Sequence, residues 1–225
     1  MPLSAKLLTM KDLPAIKGRY YIHSLIEEGE HEQQDFKFAI SDARKIARSI
    51  SAFSNNSGGR LLIGVKDNGV VAGIRNEEDV YMIEAAAEMY CRPKVDVKLT
   101  AFKVDPGTVV LRVEIPKALR PPVCVVEENN ELRAYYRVKD ENFVAHPLML
   151  SAWKHYAADD GALVAVDDNH RLLLEIIERD GSATLEEFVR RSHLSTDTAI
   201  DYVGRLVASS MINLEYRGGR LVICN

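Results

Sequence analysis

The chain has 225 residues, which suits one large domain or two modest ones. Its hydrophobic share of 47% and charged share of 28% are those of an ordinary globular protein, and no run of about 18 apolar residues is present to cross a membrane. A net charge of −4 and a pI near 5.9 exclude a protein that coats nucleic acid through bulk charge.

The first residues, MPLSAKLLTMKDL, lack the charged start, long apolar core and small-residue cleavage site of a secretory signal, so a cytoplasmic protein is expected. Residues 14–28 read as a helix with a broken apolar stripe of Ile16, Tyr20, Ile22, Leu25 and Ile26. His23 falls on the side of Ile16 and is expected to pack. Gly29 then stops the helix. Asp35-Phe36-Lys37-Phe38 alternates polar and apolar, which predicts a strand. Because side chains two apart on a strand share a face, Lys37 is expected to meet Asp35 as an ion pair.

Ser41 is a fitting N-cap for a helix over 41–54, whose apolar side is Ala43, Ile46, Ala47, Ile50 and Phe53. Its other side carries Arg44, Lys45 and Arg48. The breaker cluster Ser54-Asn55-Asn56-Ser57-Gly58-Gly59 ends it, and Leu61-Leu62-Ile63-Gly64-Val65 continues as a buried strand over 60–66. Lys66-Asp67-Asn68-Gly69 is a turn. A Glu- and Ala-rich helix is predicted over 77–90, ended by Arg92-Pro93. Strands over 95–103 and 109–115 flank the Asp105-Pro106-Gly107 turn, and a further strand covers 132–138. A closing helix over 147–157 carries Leu148, Leu150, Trp153 and Tyr156.

Residues 159–167 read as a linker. Beyond it come a helix with Leu172, Leu173, Ile176 and Ile177, then a helix capped by Thr184 with Glu187 three residues on. A third helix, capped by Ser195 or Thr196, carries Ala199, Ile200, Val203, Leu206 and Val207. Two short strands joined by Arg217-Gly218-Gly219 complete the plan of a winged helix. The predicted organisation is therefore α/β (α+β): a helical segment over 1–28, a mixed sheet with packed helices over 29–158, and a small winged-helix-like domain over 168–225. Residues 159–225 hold twelve acids, seven arginines and no lysine, so the negative charge concentrates at this end. No internal repeat is present.

Cys91, Cys124 and Cys224 are far apart, with no C-x-x-C pair, and are expected to be buried reduced thiols. The missing C-x-x-C pair leaves no zinc ribbon or thioredoxin-like motif, and the missing H-E-x-x-H leaves no zincin. No metal or cofactor is expected from these residues.

The run E-H-E-Q-Q-D-F-K from Glu30, followed fourteen residues later by A-F-S-N-N-S-G-G-R-L-L-I-G-V-K-D-N-G-V-V-A-G ending at Gly73, resembles the Schlafen AlbA-type family. That family's pattern is E-S-x-x-x-E-F-K, then A-F-A-N-T-x-G-G-x-L-x-I-G-V-x-D-x-G-x-x-x-G. Arg92-Pro93, Val113-Glu114-Ile115-Pro116, Pro121-Pro122 and Tyr136-Arg137-Val138 extend the resemblance over a little more than half the chain. His31 stands where the family has Ser, Asp35 where it has Glu, and Asn56 where Thr is common. The resemblance implies a tie to nucleic acid, and relatives carry DNA-binding, ATP-binding and transcriptional-regulator descriptions. The ATP description finds no support: G-x-x-x-x-G-K-[ST] is absent, and Arg60 follows the glycines.

Three groups of residues carry the candidate chemistry. Lys37, Arg44, Lys45, Arg48 and Arg60 are either phosphate contacts or a solvated face; Arg44 and Arg48 lie four apart on one helix. Asn55, Asn56, Ser57, Gly58 and Gly59 either cradle a phosphate through backbone N–H groups or simply connect helix to strand. Glu30, Asp35 and Asp67 match the three carboxylates that ribonuclease members use, which implies Mg²⁺ or Mn²⁺ for a nuclease. Alternatively, Asp67 merely makes its turn, and the shorter Asp35 reaches less far. In the winged helix, Arg217 and Arg220 face nucleic acid if the wing binds it. The third helix exposes Asp197 and Asp201, which suit protein contact or dimerisation equally well. The expected function is a nucleic-acid-binding transcriptional regulator without catalysis, with a homodimer if its target sites are two-fold. The alternatives are the metal-dependent nuclease and a protein-interaction module.

Overall fold

A computed structural model describes residues 13–74, 78–157 and 167–225 of the chain. The described residues form two compact units, one ending at Val144 and the other containing Ala145–Asn225. The expected linker over 159–167 lies outside the described residues except at Asp167.

The first unit begins with β1 (Ile16–Lys17), α1 (Arg19–Glu28), β2 (Gln34–Lys37), α2 (Ala43–Asn55) and β3 (Gly59–Ile63). Then come α3 (Glu78–Ala85), a π-turn over Ala86–Tyr90, β4 (Cys91–Arg92), β5 (Lys98–Asp105), β6 (Thr108–Ile115), β7 (Cys124–Val126), β8 (Leu132–Val138) and β9 (Glu141–Val144). A five-stranded sheet runs in the order β1-β5-β6-β3-β2, with β1 parallel to β5, β2 parallel to β3 and the other pairs antiparallel. A second, four-stranded sheet runs β4-β7-β8-β9. The expected mixed sheet with packed helices is what the chain builds.

Both faces of the larger sheet are covered, which accounts for the unbroken apolar run in β3. Leu61 and Ile63 face a core shared with Ile46, Ile50 and Phe53 of α2. Leu62 faces the opposite core, with Ile22 and Leu25 of α1, Phe36 and Phe102. On its other side α2 meets Val125 and Tyr135 of the smaller sheet, and Val123 just before it. This enclosure explains why even Ser49, Ser51, Ser54 and Asn55 of α2 are buried.

Several expectations shift. The helix expected over 14–28 starts only at Arg19: Ile16 and Lys17 pair with Phe102 and Lys103, and the Gly18 N–H bonds the Lys103 carbonyl at 3.2 Å. His23, expected to pack, is exposed. Asp42 rather than Ser41 caps α2, its carboxylate accepting from the Arg44 N–H at 2.8 Å. The strand expected over 60–66 ends at Ile63, because Gly64 adopts φ +94° and a Cβ there would lie 2.7 Å from the Gly73 backbone.

The second unit contains α4 (Pro147–Ala157), α5 (Asp168–Asp180), α6 (Leu185–Ser192), α7 (Thr196–Ala208), β10 (Asn213–Arg217) and β11 (Arg220–Cys224). Thr184 caps α6 by accepting from the Glu187 N–H, Ser195 caps α7, and Gly181 closes α5 at φ +77°. Leu148, Leu173, Ile176, Phe188, Val203 and Leu206 meet in one core. The helix α4, expected to close the first domain, instead packs on α7, where a Cβ on Gly204 would meet the Ser151 side chain at 2.1 Å. No helix among the described residues is long and apolar enough to cross a membrane.

Candidate functional site

The acidic candidates separate into a pair and a bystander. Glu30 follows the left-handed Gly29, and its Oε1 accepts the Phe36 N–H at 2.8 Å. Burial, and a hydrogen bond shared with the Asp35 carboxyl, push the Glu30 pKa up. Asp35 is buried at the start of the sheet edge. Its Oδ2 lies 2.7 Å from Lys37 Nζ, the ion pair expected from strand geometry, and its Oδ1 lies 3.5 Å from Arg137 Nη2. Asp67 sits exposed in the Lys66–Gly69 turn. Among the described residues no group of three or more His, Cys, Asp or Glu is placed to hold a metal ion.

The organising residue of this corner is Arg137, which sequence reasoning did not single out. It lies in β8, 2% exposed, and nearly all of its donors are used. Its Nε donates to the His31 carbonyl at 3.0 Å, Nη1 to Asn142 Oδ1 at 3.0 Å, and Nη2 to the Gln34 carbonyl at 3.2 Å. The guanidinium lies over the Phe53 ring, 4.8 Å from its centroid. A planar fork of donors with low hydration suits this role; a lysine would leave several acceptors unmet. The available sequence signal was an arginine flanked by apolar residues in Tyr135-Tyr136-Arg137-Val138.

The residues from the end of α2 to the start of β3 are bonded inward or packed close. Asn55 Nδ2 donates to the carbonyls of Val123 and Tyr135 at 2.9 and 2.8 Å, and its Oδ1 accepts the Val123 N–H at 2.7 Å. Asn56 bonds both the N–H and the carbonyl of Arg137, at 3.1 and 2.8 Å. Gly58 takes φ +74°, and a Cβ there would lie 2.8 Å from the Ile115 carbonyl. At Gly59 a Cβ would strike the Phe53 ring at 2.3 Å. Ser57 is exposed.

The basic candidates divide by whether an acid holds them. Arg48 makes a two-pronged contact with Glu127, Nε to Oε1 at 3.0 Å and Nη2 to Oε2 at 2.6 Å. The Tyr135 hydroxyl donates to the same carboxylate. These bonds, the arginine's first, hold the Glu127 pKa down, while burial and then Glu127 push Tyr135 up to about 12. Arg60 pairs with Glu28 and donates to Gln34 Oε1 at 2.6 Å. Arg217 pairs with Glu215 at 2.6 Å. Arg44, Lys45 and Arg220 have no acidic partner among the described residues; Arg44 lies over the Tyr90 ring at 4.8 Å. Arg44 and Arg48 thus share a helix but not a fate: one is held on an aromatic ring, the other is bound to the smaller sheet.

In the second unit, α7 exposes Thr196, Asp197, Thr198 and Arg205. Asp201 pairs with Arg205 at 3.0 Å and with His155 of α4 at 3.0 Å, so the positive charge on this helix is already matched.

Residues 30–145 match the family model described as Schlafen, AlbA_2. No curated protein matches the chain. Among solved structures, the chain is similar to the DIP2311 protein from Corynebacterium diphtheriae, with 16% identity and a TM-score of 0.43 over 77% of this chain. The chain spans 32% of that protein's length.

Proposed function

This chain belongs to the Schlafen AlbA_2 family, and from that premise we propose that it is a nucleic-acid-binding regulator that performs no catalysis. The family is associated with nucleic-acid binding, and the match over residues 30–145 is the observation that carries the reading. The engagement of Asp35 supports the non-catalytic part. A divalent ion needs carboxylate oxygens that converge on it free of competing cations. The Asp35 oxygens face Lys37 and Arg137 instead, and Glu30 bonds Asp35. Arg44 and Lys45 in the first unit, and Arg220 in the second, are the phosphate contacts of this reading, because their charge is not cancelled by a neighbouring acid.

For the second unit the element order α5, α6, α7, β10, β11, with the Ala183–Ile223 bridge beside the hairpin, supports a winged helix. The α4 helix packed on α7, and the Asp201–Arg205 pair, favour protein contact over insertion of α7 into a groove. The regulator reading is tested by measuring binding to duplex DNA, single-stranded DNA and structured RNA, with and without Mn²⁺, while following cleavage. Salt-dependent binding to intact nucleic acid is the expected result. Cleavage that needs Mn²⁺ and disappears in folded Asp35→Ala and Asp67→Ala variants would put the nuclease alternative first.

A further inference from the structure

We propose that Leu119 is a wedge that enters the minor groove of duplex DNA between adjacent base pairs, with Lys94 and Lys117 taking the phosphates beside it. The choice of DNA rests on the functional reading above; the exposed leucine and its neighbouring cations do not. The site is built by the two links that join the sheets. One runs from β4 to β5 over residues 93–97, the other from β6 to β7 over residues 116–123. Their ends are neighbours: Arg92 pairs with Cys124, and Lys98 with Glu114, so the links run side by side.

Both links turn their apolar residues into the core that α2 shares with the sheets. Val95, Val97 and Ala118 pack there, which leaves Lys94, Asp96, Lys98, Lys117 and Leu119 exposed on the outside. The second link is the longer, and Leu119 on it is 100% exposed. The backbone on either side of this leucine is fixed to α2. The Ala118 N–H donates to the Ser54 carbonyl at 2.8 Å, and the Val123 N–H donates to Asn55 Oδ1 at 2.7 Å. The Ser51 hydroxyl donates to the Val123 carbonyl at 2.7 Å. Pro116 restricts the backbone just before Lys117. An apolar tip held out by anchored feet loses little freedom on binding.

The charge beside it is positive. Lys94 and Lys117 are exposed and have no acidic partner among the described residues. Lys98 lies 3.8 Å from Glu114, whose carboxylate is already paired with Arg112 at 3.0 Å. Asp96 is the one acid on either link. Lys94, Lys98 and Lys117 against it leave a surplus suited to phosphodiesters. The tip then decides which form of nucleic acid fits. A single strand is held by aromatic rings on which its bases stack, and this tip is aliphatic. A leucine flanked by lysines suits the minor groove, where apolar side chains part a base step and kink the duplex.

The test uses the full chain and an end-labelled DNA duplex, with affinity read by fluorescence anisotropy and bending by energy transfer between the two ends. The natural protein is compared with Leu119→Ala, Leu119→Met and Lys94→Ala/Lys117→Ala. Because these side chains are exposed, circular dichroism should report an unchanged fold. The natural protein is expected to bend the duplex by an angle in the range of about 20–90° that such wedges produce. Leu119→Ala should bind with the bend lost, and Leu119→Met, which keeps an apolar tip, should retain it. The lysine pair should lower the duplex salt slope by about 0.9 per lost contact. A duplex left straight by the natural protein, a bend that survives Leu119→Ala, a Leu119→Met complex as straight as that of Leu119→Ala, or an unchanged slope in the lysine pair would overturn the proposal. Any of these with the duplex still bound leaves the regulator reading standing, as does binding confined to single strands, which also overturns the wedge. Binding to no nucleic acid would remove both.

Discussion

Glu127 is the residue where charge and packing are most tightly joined. Arg48 and Tyr135 both donate to a carboxylate that is 6% exposed, and no feature near Arg48 in the sequence points to an acid seventy-nine positions away. We expect Glu127→Gln to cost about 2 kcal/mol at neutral pH, the worth of a hydrogen-bonded charge discounted for the partial exposure of Arg48. The folded carboxylate has a lowered pKa, so its contribution is full above the ordinary glutamate range and is lost as the pH falls through the folded value. The gap in melting temperature between natural protein and variant should therefore close in acid; a gap that persists there would contradict the assignment. Glu30 behaves oppositely. Its raised pKa means that ionising it opposes folding, an effect absent below the ordinary glutamate value and complete above the raised one. Glu30→Gln retains an acceptor for the Phe36 N–H and removes the charge facing Asp35. Its thermal stability should match the natural protein in acid and exceed it at neutral pH; equal pH profiles would rule this out.

At the scale of elements, α2 and the loop after it decide the architecture. Asn55 satisfies three backbone groups, the N–H and carbonyl of Val123 and the carbonyl of Tyr135, so Asn55→Ala should cost roughly 3 kcal/mol by leaving buried donors and acceptors unmet. If that loop cradled phosphate instead, the variant would lose affinity while keeping its denaturation midpoint. Gly58→Ala should also destabilise, because its φ of +74° and the nearby Ile115 carbonyl both disfavour a Cβ. These elements were readable in advance because their signals are local: helical spacing from Ala43 to Phe53, two glycines, then an unbroken apolar run. The β5–β6 hairpin and the caps at Thr184 and Ser195 were readable for the same reason. What escaped was long-range. Ile16 fits a helical stripe with Tyr20 and Ile22, and its strand partner, Phe102, is eighty-six residues away. The apolar stripe of α4 announces burial but does not name α7 as its partner. Arg137 and Asn55 were hidden likewise, because a polar residue's burial depends on which strands arrive around it. The basic candidates were found as residues, and strand alternation announced the Lys37–Asp35 pair, but nothing in the spacing told that Arg48, Arg60 and Arg217 each face an acid.

For the whole molecule, the distribution of charge matters more than its sum. The net charge of −4 hides an acidic C-terminal stretch and a first unit with unmatched cations at Arg44 and Lys45. Binding through such a surface is local and electrostatic, so it should be insensitive to base sequence and sensitive to salt. It should also be indifferent to divalent ions except through their ionic strength, since the reading assigns no step to a metal. The most direct measurement is the slope of log affinity against log salt concentration for the full chain on duplex DNA, compared with Arg44→Ala/Lys45→Ala. The account predicts salt-dependent binding by the natural protein, and a double variant that is weaker on every sequence, with a slope smaller by about 0.9 for each lost contact. A double variant with the natural affinity and slope would contradict it.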